Sequence, residues 1–344
     1  MMTQVKGEAG EGAGTVLVTG GAGYVGSHAC KALAAAGFRP VVYDNLVTGH
    51  PFAVKWGPFE HGDVLDRSRL DEVIARHRPR AILHFAAFAY VRESMADPGR
   101  YWRNNVQGSL TLLEAARDAG VRDIVFSSSC AVFGIPAATP IGEDAPRAPI
   151  SPYGATKLTV ETMLQDFGRA HGTRWVALRY FNAAGCDPDG EIGELHDPET
   201  HLIPLALEVA AGERPRLTVF GADHPTPDGT CVRDYVHVAD LARAHVAALQ
   251  RLEAGMASAA FNLGVGRGYS VREVIETVRA VTGAETPFTV APRQAGDPPI
   301  LIADPTRAAG ALGWAPQLPE LSDIVRTAWN WRGAKQDARQ CVLA

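Results

Sequence analysis

The chain has 344 residues, of which 46% are hydrophobic and 21% charged, with a formal net charge of -5. That length supports a large core divided over two domains, or one domain with a sizeable lobe, and the charge argues against nucleic acid as a partner while leaving room for a local cationic pocket around a small anion. No apolar run is long enough to cross a bilayer, and the opening "MMTQVKGEAGEGAGT" lacks the basic and apolar regions of a signal peptide. The expectation is a flexible tail over residues 1–14 and a cytoplasmic protein with no membrane partner.

In chain order, the first half alternates short apolar runs with stretches long enough for a helix. "TVLVTG" (15–20), "PVVYD" (40–44), "AILHFAA" (81–87), "DIVFSSS" (123–129) and "WVALRYF" (175–181) read as buried strands. The rhythm predicts a doubly wound parallel α/β sheet, which binds ligands at the carboxyl ends of its strands. Beyond residue 182 the pattern breaks into Pro- and Gly-rich connections, with one further apolar helix near "HVADLARAHVAALQRL" and a strand at "AFNLG". This predicts a smaller lobe interleaved with the first.

The first strand runs into "TGGAGYVGSH", where Gly20, Gly23 and Gly26 repeat every third residue as a helix opens. Such a turn lets backbone N–H groups approach a pyrophosphate, and the helix N-terminus adds positive potential. Asp44 ends the second strand, 18 positions beyond Gly26. A carboxylate there accepts hydrogen bonds from an adenosine ribose and repels an additional phosphate, and "DNLVTGH" offers no cation, so NAD is expected rather than NADP. A plain turn role for Asp44 stays open. Asp63 and Val64, in "HGDVLD" after a third strand, are placed beside the adenine on the same logic.

"SPYGATK" (151–157) predicts a helix capped by Ser151, with Pro152 in its first turn, running toward Gly172. Tyr153 and Lys157 then share one face. Ser127, Ser128 and Ser129 close the preceding strand at the same edge of the sheet. An ammonium about 4 Å from the phenol is worth roughly 4 kcal/mol at an effective dielectric near 20, which lowers a phenol of ordinary pKa ~10 by about 3 pH units. A cationic nicotinamide ring pushes the same way. These parts predict alcohol oxidation, with Tyr153 as general base, a serine orienting the oxygen, and Lys157 both tuning the phenol and holding the nicotinamide ribose. Five scattered cysteines and eleven histidines without an H-E-x-x-H pattern suit neither a disulfide framework nor a metal enzyme.

Taken together, "TGGAGYVGSH", "HFAA", "NNV" (104–106), "SSSCAVFG", "SPYGATK", "LRYFNAAG", "VRDYVHVAD" and "LGW" resemble the UDP-glucose 4-epimerase family of extended short-chain dehydrogenases/reductases, from about residue 15 to about 335. The resemblance implies an isomerase that keeps NAD bound, oxidises carbon 4 of a UDP-hexose, turns the 4-keto sugar over and reduces its other face. It implies Tyr153 as base, Lys157 as its tuner and Ser129, from the S-x-x-V pattern with Val132, as partner of the 4-hydroxyl. Around NAD it implies Gly20, Gly23, Tyr24, Val25, Gly26, Asp44, Asn45, Asp63, Val64, Phe85, Ala86, Ala87, Asn105, Ser127, Tyr153, Lys157 and Tyr180. Around the substrate it implies Ser129, Tyr153, Phe181, Asn182, His201, Leu202, Phe220, Arg233, Arg293, Asp297 and Leu301. Without the family, Asn182 reads as a turn residue and Arg233 as a surface ion pair.

The chain departs from the family at Ala89, where many members carry a cofactor-holding lysine; at Gln294, where a second arginine is usual; and at Phe133, where tyrosine is common. The resemblance aligns Leu301 with a position that limits the room beside the sugar's carbon 2, and a mid-sized leucine there leaves UDP-N-acetylglucosamine and UDP-pentoses open beside UDP-glucose. A nucleotide-sugar 4,6-dehydratase would need an acidic pair where Cys130 and Ala131 stand. A non-catalytic NAD-binding sensor would have little reason to keep serine, tyrosine and lysine together. The expected division is an NAD-binding Rossmann domain over 15–181 plus 236–264 and a UDP-sugar lobe over 182–235 plus 265–338. The family also implies a homodimer through helices near 98–119 and 152–171.

Overall fold

The computed structural model describes residues 14–293 and 297–343. Residues 1–13 of the expected tail and Gln294 lie outside the described residues.

Six strands follow in order: β1 (Thr15–Thr19), β2 (Arg39–Asp44), β3 (Phe59–His61), β4 (Ala81–His84), β5 (Asp123–Ser129) and β6 (Arg174–Tyr180). With the later strand Ala259–Leu263 they form a seven-stranded sheet in the order Ala259–Leu263, β6, β5, β4, β1, β2, β3. Every pairing is parallel. This matches the expected doubly wound sheet, and the order reverses between β1 and β4, which opens a crevice at their carboxyl ends.

Alternating side chains feed two apolar layers. On one face Val16, Val18, Val42, Leu83 and Val125 pack with Ala29 and Leu33 of the helix Tyr24–Ala35 and with Leu241, Ala248 and Leu249 of the helix Val238–Glu253. On the other, Leu17, Val41, Ile82, Ile124 and Phe126 meet Leu70 and Val73 of Arg67–His77, Leu112 of Gly108–Asp118, and Val160 and Leu164 of Pro152–His171. Burial on both faces is why these strands read as unbroken apolar runs.

A third core belongs to the smaller lobe. Ile203 and Leu207 of the helix Leu202–Ala210, Val274 and Val278 of Val271–Thr282, and Leu321, Ile324 and Val325 of the last helix surround Leu217 and Val219. Strand Leu217–Phe220 pairs with Phe288–Ala291, and Val232–Arg233 lies between Tyr269–Ser270 and Ile300–Leu301.

Two elements differ from expectation by more than a residue. β4 ends at His84 rather than residue 87, because Phe85 and Ala86 both donate backbone N–H groups to Thr19 O, at 2.9 and 3.1 Å, and turn the chain over β1. The expected helix at 98–119 is three pieces: Pro98–Tyr101, a widened turn Trp102–Gln107, and Gly108–Asp118. Asn105 sits in the widened turn with its amide turned inward to Phe88.

One ion pair crosses from the sheet to the helix Pro152–His171. Arg179 donates to Glu161 at 2.8 and 2.6 Å, and Ser128 donates to the same carboxylate at 2.6 Å, with the Arg179 and Glu161 side chains 3% and 1% exposed. Removing one partner of such a pair strands the other charge. Glu161→Gln should therefore lower unfolding free energy by about 3–5 kcal/mol in a denaturant titration, and a loss within 1 kcal/mol would show that Arg179 finds another acceptor.

Candidate active site

The crevice begins at the turn after β1. Gly20 has φ +73°, and a Cβ there would lie 2.6 Å from Ala86 N, so only glycine lets the turn pass the end of β4. A Cβ at Gly26 would lie 2.2 Å from Gly20 O, which fixes how closely the first helix packs on the turn. That helix starts at Tyr24 with Gly23 as N-cap, and it has neither a side-chain cap nor an acidic residue in its first turn. Its free N–H groups and positive end suit a phosphate.

Asp44 is buried at the end of β2. Its carboxylate accepts Ala22 N at 3.0 Å and Leu46 N at 2.8 Å, so it braces both the glycine turn and its own. Burial raises its carboxyl above the ordinary value, against the two backbone bonds. Each oxygen keeps a second lone pair for an outside donor such as a ribose hydroxyl. Asn45 donates to Asp63 at 2.9 Å, and Asp63 accepts Leu65 N at 2.9 Å, which aligns the two turns along the sheet edge; Val64 is buried beneath. The glycine turn, the uncapped helix and a carboxylate at the second strand's end fit a dinucleotide.

The serine, tyrosine and lysine expected to carry the chemistry stand at the end of β5 and on the helix that follows it. Ser151 caps the helix Pro152–His171 by accepting Gly154 N at 3.2 Å, and Gly172 ends it with φ +71°. Ser129, the last residue of β5, caps the short turn Cys130–Phe133, accepting Ala131 N at 3.2 Å. The turn and the helix meet at Gly154, where a Cβ would stand 2.4 Å from Ala131 O. This approach brings the Ser129 hydroxyl close enough to the Tyr153 phenol to favour its ionised form. Lys157 Nζ donates to Ser127 O at 2.7 Å and lies 5.8 Å from the Tyr153 ring centre.

Electrostatics here depart from the simple Coulomb expectation. Tyr153 is buried, and burial pushes its phenol up to about 12, with the Ser129 hydroxyl acting in the opposite direction. Burial alone pushes Lys157 down to about 7. The ammonium does not outweigh the loss of water around the phenolate, so the pair by itself does not acidify the phenol. Next to them, His84 bridges Thr19 Oγ1 at 2.7 Å and Ser109 Oγ at 2.8 Å, and burial, then the Lys157 charge, push it down to about 3. It is a neutral strut.

The remaining expected cofactor residues divide into rim and scaffold. Tyr24 donates to Gly185 O at 2.5 Å, which ties the glycine helix to the start of the smaller lobe; Val25 follows it in the same first turn. Phe85, Ala86 and Ala87 form the turn over Gly20. Ser127 and Tyr180 share a hydrogen bond across β5 and β6. Asn105 is a clamp: its amide oxygen accepts Phe88 N at 2.9 Å and its nitrogen donates to Phe88 O at 3.0 Å, leaving it 2% exposed.

On the other wall, Phe181 and Leu301 are buried with Cys130, Val132 and Phe133 in one apolar cluster. Asn182 starts the strand paired with Tyr235–His237, and its side-chain amide has no hydrogen bond among the described residues. Arg233 is mostly buried rather than a surface residue; it pairs with Asp297, which also accepts from Cys231 Sγ at 3.4 Å. Arg293 donates to Asp223 at 2.6 Å in the open. Phe220 is packed under the Arg92 guanidinium, 4.8 Å from its ring centre. His201 stands just before the helix that Leu202 begins, without a side-chain capping bond, and faces Glu194 and Glu199. Sequence reasoning missed Gly154 and His84; the one signal for Gly154 is its position next to the tyrosine.

The family model described as NAD dependent epimerase/dehydratase family matches residues 16–264. The UDP-glucose 4-epimerase of Rhizobium meliloti (strain 1021) is 53% identical over 93% of this chain and 97% of its own length. Among solved structures, the UDP-glucose 4-epimerase from Brucella ovis in complex with NAD is 54% identical, covers 92% of this chain and 98% of its own, and superposes with a TM-score of 0.90. That from Stenotrophomonas maltophila, with bound NAD and formylated UDP-arabinopyranose, is 42% identical over 94% and 99%, with a TM-score of 0.91.

Two outcomes follow from this geometry. Gly154→Ala forces the Ser129 turn away from the phenol, and a displacement near 1 Å should lower turnover of a bound sugar by ~100-fold with the fold intact by circular dichroism; unchanged turnover would mean the turn has slack. For Lys157 the folded pKa lies below the unfolded one, so between pH 7 and about 10 the unfolded chain binds more protons and stability rises with pH. Without cofactor, wild type should gain stability over Lys157→Met as pH rises through that window in urea melts, and parallel curves would show an unperturbed lysine.

Proposed function

Because this chain belongs to the NAD dependent epimerase/dehydratase family, we propose that it inverts a UDP-sugar at carbon 4 through the serine, tyrosine and lysine gathered at the carboxyl edge of β5. It is an isomerase that interconverts UDP-galactose and UDP-glucose, and its cofactor is NAD. The arrangement of Ser129, Tyr153 and Lys157 beside the β1–β4 crevice carries the assignment of roles.

NAD, when bound, supplies the acceptor and donor of hydride at the sugar. The residues assigned to hold it are the turn Gly20–Gly26, Asp44 at the ribose, Asp63 and Val64 at the adenine, and Tyr153 and Lys157 at the nicotinamide end. Tyr153 Oη takes the proton of the sugar's 4-hydroxyl and later returns it. A buried phenol holds its proton firmly, so positive charge must arrive before it acts as a base; a protonated Lys157 and a cationic cofactor ring are the sources. Ser129 shares its hydroxyl between the phenol and the substrate oxygen, which fixes the line of proton transfer. Because the same phenol serves both directions, the proton never leaves the site.

The nucleotide end falls to the smaller lobe, assigned here to 182–235 plus 265–338, opposite an NAD domain of 15–181 plus 236–264. Asn182 offers an amide without a hydrogen-bond partner among the described residues, and Arg233 a planar fork suited to phosphate. Arg233 must exchange part of its pairing with Asp297 for the diphosphate, which frees that carboxylate for a ribose hydroxyl. A dehydratase reading is disfavoured because Cys130 and Ala131 follow Ser129, and burial pushes the Cys130 thiol up to about 12.

No helix among the described residues is long and apolar enough to cross a membrane. We assign the protein to the cytoplasm and to galactose interconversion. A homodimer through residues 98–119 and 152–171 is the proposed assembly, supported by Trp102 and Leu110, which are exposed on the first of these segments.

Purified protein given UDP-galactose should yield UDP-glucose with no net change in cofactor redox state. Tyr153→Phe should cut turnover by about 10²–10⁴-fold. A variant at the wild-type rate would remove the phenol from the mechanism, and a 4-keto-6-deoxy product would overturn the assignment.

A further inference from the structure

We propose that Glu194, His196, Glu199 and His201 form a binding site for one divalent transition-metal ion, with zinc the best-matched class. They come from the segment "ELHDPETH" (194–201), which ends where the helix Leu202–Ala210 begins. One ligand atom from each lies within 4.8 Å of all the others.

The separations match a four-coordinate ion. Zinc bonds of about 2.0–2.1 Å in a tetrahedron put neighbouring donors about 3.3 Å apart. His196 Nδ1 is 3.3 Å from Glu194 Oε1 and 3.5 Å from Glu199 Oε2, and His201 Nδ1 is 2.8 Å from Glu194 Oε1 and 3.1 Å from Glu199 Oε1. Two imidazoles and two carboxylates form a borderline, nitrogen–oxygen donor set, and the two negative charges balance a dication.

A second observation separates this cluster from a set of ordinary ion pairs. Glu194 is 6% exposed, and although its Oε1 lies 2.8 Å from His201 Nδ1 and 3.3 Å from His196 Nδ1, neither it nor the buried Nδ1 of His196 makes a hydrogen bond of acceptable angle. Buried polar atoms are rarely left so, and two of them here converge on one point. The neighbouring acidic trio shows the contrast: Asp187, Asp189 and Glu191 all meet Lys31 Nζ, at 2.8, 2.7 and 2.7 Å, and so already hold their cation.

With all four positions filled by protein, such a site is structural rather than catalytic. Its place gives it a purpose. His196 lies 6.2 Å from the Tyr24 ring and 5.8 Å from the Tyr90 ring, and His50 Nε2 is 3.0 Å from Leu195 O. An ion here pins the 194–201 segment of the smaller lobe against the glycine helix and the turn beyond β4, so the two halves are clipped together beside the crevice.

The test uses the full chain, stripped with chelator and titrated with ZnCl2 or CoCl2. One equivalent should bind, cobalt should give the intense visible bands of a four-coordinate ion, and zinc should raise the melting temperature. His196→Asn and Glu199→Gln should each weaken zinc binding at least ~10-fold. No stoichiometric binding, or a pale six-coordinate cobalt spectrum, would overturn the site, and both readings need only the wild type. Binding that survives His196→Asn but is lost in Asp189→Asn would place the ion at the acidic trio and equally overturn it.

Discussion

Withdrawal of water from two ionisable side chains is the constraint on which the proposed chemistry turns. Tyr153 and Lys157 both lie below 10% exposure, on a helix that begins at the edge of the sheet. In water the phenol would be too weak an acid to serve as a base, and the ammonium would be permanently charged. Buried, both charged forms are disfavoured, so the phenol rises to about 12 and the lysine falls to about 7. The phenol is thus held neutral, and the lysine close to the point where it gains or loses its proton, until a compensating charge enters the same dry space. A base that strengthens only in loaded protein does little to anything else that wanders in.

The rest of the fold positions that pair. The strand order reverses between β1 and β4, so the glycine turn and the ends of β4 and β5 open on one crevice. Backbone proximity does the fine positioning: Gly20 under Ala86, and Gly154 against Ala131. His84 and Asn105 are buried polar groups that hold the chain at the end of β4: His84 ties it to Thr19 of β1 and Ser109, and Asn105 ties the following turn at Phe88 to Thr156. The smaller lobe brings Asn182 and Arg233 opposite, on short strands too irregular to have a period of their own.

Where local chemistry decides the structure, the sequence was legible. Ser151, Pro152 and Gly172 mark both ends of a helix that runs Pro152–His171, and "DIVFSSS" matches β5 residue for residue. Asp44 was legible as a strand end, and the structure adds that its carboxylate braces the glycine turn. The sign of the phenol's shift was not legible, because a Coulomb estimate at fixed dielectric leaves out desolvation, and the depth of burial is a property of the assembled fold. Asn105 was expected beside the cofactor; that its amide also bonds Phe88 and Thr156 depends on the widened turn, which no spacing shows. The cluster at Glu194, His196, Glu199 and His201 follows neither a helical nor a strand period. Only the path of the chain around residues 197–200 brings those donors together, and no spacing rule encodes it.

One further feature makes the buried lysine intelligible. Glu161 follows Lys157 by four positions on the same helix, the spacing at which a carboxylate ordinarily captures an ammonium. It does not do so here: Arg179 reaches across from β6 and takes both carboxylate oxygens, Ser128 adds a third bond, and Lys157 is left with the Ser127 carbonyl. Had Glu161 paired with Lys157, the ammonium would be stabilised, its pKa would rise, and its field at Tyr153 would be cancelled by a negative charge one turn away. Arg179 therefore does two things with one bidentate contact. It neutralises a buried carboxylate, and it leaves the lysine's proton free to respond to whatever occupies the crevice.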